Sequence, residues 1–198
     1  KNKFIGNQDS DITLYSFQTV RLPNTIDGGG IAFNNDVLFD KAKLIRDLGV
    51  ERSTFRDGNG EISVKCDISL PGYGATLSEV NSYIGYLQME KINSLINQQR
   101  INAEKWDNYL HNQTSIKQVR KTDGTIPNYW VYGCLTKDKI STIQHFRKKG
   151  VYASGVHLNN NQYSIFNRYN ELKGVKDFYE KFIALPCGWW INYDNYFD

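Results

Sequence analysis

Three side chains of different chemistry fall within one short stretch, Ser16, Gln18 and Arg21, and the run Asn24-Thr25-Ile26-Asp27-Gly28-Gly29-Gly30 follows shortly. Arg21 keeps its charge at any working pH and its nitrogen lone pairs are delocalised. It can therefore pair with a phosphate or a carboxylate but cannot be the amine of a Schiff base. A desolvated lysine could do that work, and no lysine lies between Phe4 and Lys41. Asp27 beside three glycines either shapes a ligand loop or only builds a turn. The glycines make a poor phosphate fingerprint, because no helical pattern opens directly behind them.

Further along, His157 is one of three histidines and ends a strand-like segment before Asn159-Asn160-Asn161. It suits a ligand-lining role better than general-base work, since no carboxylate stands at a telling spacing. Tyr73, in a Pro71-Gly72-Tyr73-Gly74 breaker, faces a ligand or packs on the helix behind it. Trp189 and Trp190 read as core or dimer contact rather than a stacking platform.

These residues need elements to position them. Residues 11–17 alternate and are β-branched-rich, so they predict a strand, and 30–33 predict a second after the glycine turn. Asp36 is the expected N-cap of a helix that Gly49 ends. Asp57-Gly58-Asn59-Gly60 predicts a turn between short strands. Thr76-x-x-Glu79 fits a capping box, and helical periodicity then runs to Leu110, as two helices in line or one helix bent near Gly85. After a polar loop over 112–127, strands are expected at 129–135 and 151–157, with helices at 138–149 and 175–184.

The bulk numbers exclude some classes. A chain of 198 residues with 14% aromatics packs a real core in one or two domains. A net charge of +3, evenly spread, argues against nucleic acid or membrane partners. Cys66, Cys134 and Cys187 are far apart and odd in number. They predict reduced thiols in a cytoplasmic protein, and no zinc site or other metal. Because the chain opens on Lys1, it is expected to be a fragment, a processed product or a trimmed form.

The ordered set of segments resembles the DegT-type sugar aminotransferases, pyridoxal-phosphate (PLP) enzymes of nucleotide-linked keto-sugars. It begins with Tyr15-Ser16-Phe17-Gln18-Thr19-Val20-Arg21 and the Asp27 turn. It continues through the helix of Lys41 to Arg46, Gly72-Tyr73, Tyr129-Trp130-Val131-Tyr132, 150–157 and Pro186-Cys187-Gly188-Trp189-Trp190. The resemblance implies an α/β fold: residues 1–75 as the tail of a fold-type-I large domain, 76–198 as a long interdomain helix and small C-terminal domain. It implies PLP as cofactor, with Ser16, Gln18, Asp27 and Gly28 near it, Tyr73 and His157 near the sugar, and Arg21 and His157 as the catalytic candidates. Arg21 then occupies the position of the Schiff-base lysine, and Gly74 that of an asparagine that usually crosses the dimer. Family enzymes are roughly twice this length, so most of a large domain lies outside the match.

Two functions follow from the resemblance. One is a PLP-dependent sugar aminotransferase, or a lysine-less relative that holds PLP noncovalently with Arg21 as counter-ion. The other is a non-catalytic aminotransferase domain kept for sugar-nucleotide binding or dimerisation. Either implies a homodimer or a partner chain that supplies the missing domain.

Overall fold

The computed structural model describes residues 9–166 and 172–193. The chain forms two compact units, Lys1–Lys91 and Ile92–Asp198.

The first unit opens with an antiparallel hairpin, β1 (Ile12–Ser16) on β2 (Gly29–Phe33), in register from Ile12 opposite Phe33 to Ser16 opposite Gly29. Helix α1 (Asp36–Arg46) follows and packs Phe39 edge-on to Phe33 at 6.1 Å. Its N-cap is Asn35, whose side chain accepts from the Leu38 amide, so the helix starts one residue earlier than Asp36 suggests. Gly49 ends it at φ +79°, where a β-carbon would lie 2.2 Å from the Leu70 carbonyl oxygen, so no other residue fits. The expected turn forms at 57–60: the Asp57 carboxylate accepts from the amides of Asn59 and Glu61.

Helix α2 (Glu79–Met89) is capped by Ser78 rather than by the Thr76/Glu79 box. The helical periodicity breaks at residues 90–91, not at Gly85, which lies buried inside α2.

The second unit begins with α3 (Ile92–Leu110) and carries a three-stranded antiparallel sheet. Its order is β3 (Ile116–Gln118), β4 (Val131–Thr136), β5 (Phe182–Pro186). Helices α4 (Lys139–Lys148) and α5 (Lys173–Lys181) complete it. Strand β4 turns Tyr132, Cys134 and Thr136 inward. The core centres on Trp106, whose ring lies 5.3–6.3 Å from those of Tyr109, Tyr132, Phe146 and Tyr193. Such packing, edge-on for all but the tilted Tyr132, adds about 1 kcal/mol per pair to the area each ring buries.

Three expectations fail here. Residues 112–127 are not all loop, for they hold β3. Residues 182–186 are a strand, not the end of a helix. Ile183, Ala184 and Leu185 are all buried, so the run lacks the alternation that marks a half-exposed strand. Residues 151–157 join the sheet only through an isolated bridge between Ser154 and Ala184.

Burial pushes the thiols of Cys134 and Cys187 up to about 12. Both therefore stay protonated, and unreactive, across the ordinary alkylation range. At pH 8, maleimide mass-mapping is expected to label Cys66 in the native chain, and Cys134 and Cys187 only after denaturation.

Candidate functional site

Beyond the paired strands the hairpin continues as a connection over residues 17–28, held by its own backbone. The Phe17 amide donates to Gly28 O (2.9 Å), Thr19 to Ile26 O (3.0 Å) and Thr25 to Phe17 O (2.7 Å). The Arg21 amide closes a turn on Gln18 O at 2.8 Å. Ile26 adopts φ 70°, a left-handed conformation that a β-branched side chain resists at a cost of about 1–2 kcal/mol. Its carbonyl accepts from both the amide and the hydroxyl of Thr19, which fixes that geometry.

Helix α2 clamps this connection. Gln88 pairs with Asn24 twice: the Asn24 amide donates to Gln88 Oε1 (2.9 Å), and Gln88 Nε2 donates to the Asn24 carbonyl (3.1 Å). One turn back, Gly85 leaves room for the buried Thr25, whose methyl would lie 2.7 Å from a β-carbon there. Asn81 Nδ2 donates to Asp27 O at 3.4 Å, and Leu77 packs on Gly28. Gly28 itself sits at φ +131°.

Five of the expected site residues thus share one hairpin end: Ser16 at the tip of β1, Gln18 and Arg21 in the turn, and Asp27 and Gly28 at the return to β2. Ser16 and Gln18 are exposed and Arg21 is half-buried. The Asp27 carboxylate accepts from the Gly28 amide at 2.9 Å, and its carbonyl accepts from Thr25 Oγ1 at 2.6 Å, so Asp27 builds the turn.

Tyr73 belongs to the same unit, in the segment that covers the end of α1. Its amide donates to Ile45 O, and its carbonyl accepts from Leu48. Its side chain is 73% exposed, so it is not packed on the following helix. Beside it Asp47 bridges to Gly74 and meets Arg46 at 3.1 Å and Arg52 at 3.5 Å. The Arg46 hydrogen bond, opposed in part by burial and helped by Arg52, holds the Asp47 carboxyl below its ordinary 3.8.

His157 lies in the second unit, exposed, and stacks on Trp130 at 6.2 Å with planes 18° apart. It follows Val156, another β-branched residue at positive φ (56°).

A scan against family descriptions matches residues 1–195 to the DegT/DnrJ/EryC1/StrS aminotransferase family. The chain belongs to that family. A curated relative, the UDP-4-amino-4,6-dideoxy-N-acetyl-beta-L-altrosamine transaminase of Helicobacter pylori, is 24% identical over 183 residues, covering 88% of this chain and 47% of its own. Among solved structures, the sugar aminotransferase CalS13 of Micromonospora echinospora superposes with a TM-score of 0.83 at 25% identity, over 93% of this chain and 49% of that one. The E. coli GDP-4-keto-6-deoxy-D-mannose-3-dehydratase with bound hydrated PLP shares the fold, with a TM-score of 0.78 at 16% identity, over 92% of this chain and 51% of that one. The chain therefore spans about half the length of the relatives it matches. Its mixed α/β architecture with small sheets is that of the C-terminal part of the DegT fold-type-I structure.

The family implies PLP, and the donor set of this DegT-family hairpin fits only part of that cofactor. A serine hydroxyl, a glutamine amide and a guanidinium suit a phosphate held by charge and hydrogen bonds. They do not fit an aldehyde tethered to the protein, because the segment offers no primary amine.

The clamping role of Asn81, Gly85 and Gln88 escaped the sequence reading, which saw in Gly85 only a point where the helix could bend. Their signal is a polar–glycine–polar stripe at i, i+4, i+7 on one face of α2.

Gln88→Ala is expected to strip both partners from the Asn24 backbone and to destabilise the connection by about 1 kcal/mol. Faster hydrogen exchange at the amides of Asn24 and Thr25, with α4 and β4 unchanged, checks it. Because the folded Asp47 value is depressed, its contribution is fully present above 3.8 and lost as pH falls through the lowered folded value. Carboxyl NMR titration is expected to give Asp47 a midpoint below 3.8, moving back up in Arg46→Gln.

Proposed function

We propose that this chain recognises nucleotide-linked sugars within the DegT fold and carries out no lysine-dependent transamination. The observation that carries this reading is Arg21, set at the tip of a clamped hairpin where its family position calls for an amine. Ser16, Gln18 and Arg21 would hold the phosphate of PLP or of its amine form, as hydrogen-bond donors and counter-ion. Asp27 and Gly28 shape the loop. PLP, when bound, supplies an electron sink for bonds at the sugar carbon.

Tyr73 and His157 are assigned to the sugar, supported by their exposure and by the nucleotide-sugar names of the relatives. Residues 1–75 are assigned to the large-domain tail and 76–198 to the connecting helix and small domain. A homodimer or a partner chain would cover the apolar surface of the first unit, where Leu14 and Val37 are 74% and 77% exposed. Three free cysteines support a reducing, cytoplasmic setting. No helix among the described residues is long and apolar enough to cross a membrane.

The test is to mix the chain with PLP, reduce with borohydride and map the adduct. No stoichiometric pyridoxyl-lysine is expected from the unsubstituted chain, and Arg21→Lys is expected to give a yellow, reducible species at residue 21. A single full adduct on the unsubstituted chain overturns the proposal. A colourless Arg21→Lys that binds no PLP removes the cofactor role and leaves a sugar-nucleotide or dimerisation module.

A further inference from the structure

Trp190 is 62% exposed, which rules out the core position among the places expected for it. It is exposed and fixed at once. Its six-membered ring sits so close over Gly188 that a β-carbon there would lie 2.4–2.6 Å from three ring atoms. The loop beneath it is tied to α3 by buried side chains. Asn102, fully buried, donates to Gly188 O (2.9 Å) and Ile191 O (3.2 Å), and Cys187 Sγ donates to Gln99 O. Gln98 Nε2 in turn donates to Asn102 Oδ1 at 3.2 Å, which fixes Gln98 at the rim. A platform held by buried hydrogen bonds loses little freedom when a ligand settles on it.

The platform walls a cleft of about 330 Å³ lined by Gln98, Lys105, Trp189, Trp190, Ile191 and Asn192. That volume is at the small end of ligand sites and suits one ring rather than a nucleotide. The two indoles stand 5.8 Å apart at 89°, so they form a corner, not the parallel slot that sandwiches a flat base. A saturated ring with a C–H face fits such a corner, its face on Trp190 and its rim toward Trp189. The amides of Gln98 and Asn192 can donate and accept, as sugar hydroxyls require.

We propose that this cleft is a carbohydrate site that takes a single pyranose ring on Trp190. It uses none of the residues assigned to the proposed function, so either reading can fail without the other.

Saturation-transfer NMR on the chain, with methyl β-glucopyranoside and UMP as separate probes, tests it. Saturable binding of the sugar is expected at millimolar concentration, weakened about tenfold in Trp190→Ala and largely kept in Trp190→Phe. Because Trp190 is largely exposed, the melting temperature of Trp190→Ala should match the parent and serves as the folding control. Absence of saturable sugar binding overturns the proposal, as does sugar binding indifferent to Trp190→Ala. Binding of UMP alone overturns it in favour of a base site. A change of sedimentation in Trp190→Ala without sugar binding overturns it in favour of a contact between copies.

Discussion

The candidate hairpin depends on one interaction, the double pairing of the Gln88 amide with the backbone of Asn24. A connection of this length cannot satisfy all its polar groups within a ladder, and those turned away from water need partners. Gln88 presents one donor and one acceptor at peptide-like spacing, so to Asn24 it stands in for a neighbouring strand. Gly85 and Asn81 extend the contact to Thr25 and Asp27. With both flanks of Ile26 fixed, its unfavourable φ is over-determined by its surroundings, the condition under which local strain persists.

The same physics recurs in the second unit. Asn102 is buried yet makes three hydrogen bonds, two to the loop carbonyls and one from Gln98. Gln99 donates to Asn128 O at 2.6 Å, and Trp106 Nε1 donates to Pro186 O at 2.9 Å. Tyr193 also donates to Pro186 O. Irregular segments are thus tied to helices by side chains that mimic peptide groups. The side-chain amides of Gln88, Gln99 and Asn102 have a structural use. Each such amide would be costly to bury alone and contributes about 1 kcal/mol once satisfied.

Local chemistry made much of this legible in the sequence. The first hairpin, the Asp57 turn, the span of α1 and the amphipathic α3 all follow from alternation, turn residues and 3.6-residue spacing. What escaped depends on tertiary context. Strand β5 is buried without alternation and reads equally as the end of a helix. Strand β3 is three residues long and lies in a polar stretch. Residues 151–157 look like a strand by composition, yet only Ser154 completes a bridge. At the hairpin, the closeness of Ser16 to Arg21 was legible because they are near neighbours in the chain. Gln88 could not, because its partner is 64 residues away.

The distribution of these roles bears on Arg21. The backbone course of residues 17–28 is set by Thr19, Thr25, Asp27 and Gly28, and by the face of α2 that receives them. Arg21 joins them through its backbone amide, which closes the turn on Gln18. On the proposed reading, the side chain at position 21 sets the chemistry of the hairpin. An ammonium that can shed its proton becomes a nucleophile, whereas a guanidinium remains a fixed charge with a planar fork of donors. On the proposed reading, the hairpin positions an anion beside Ser16 by charge and hydrogen bonds, and the residue at position 21 decides whether a covalent step is open.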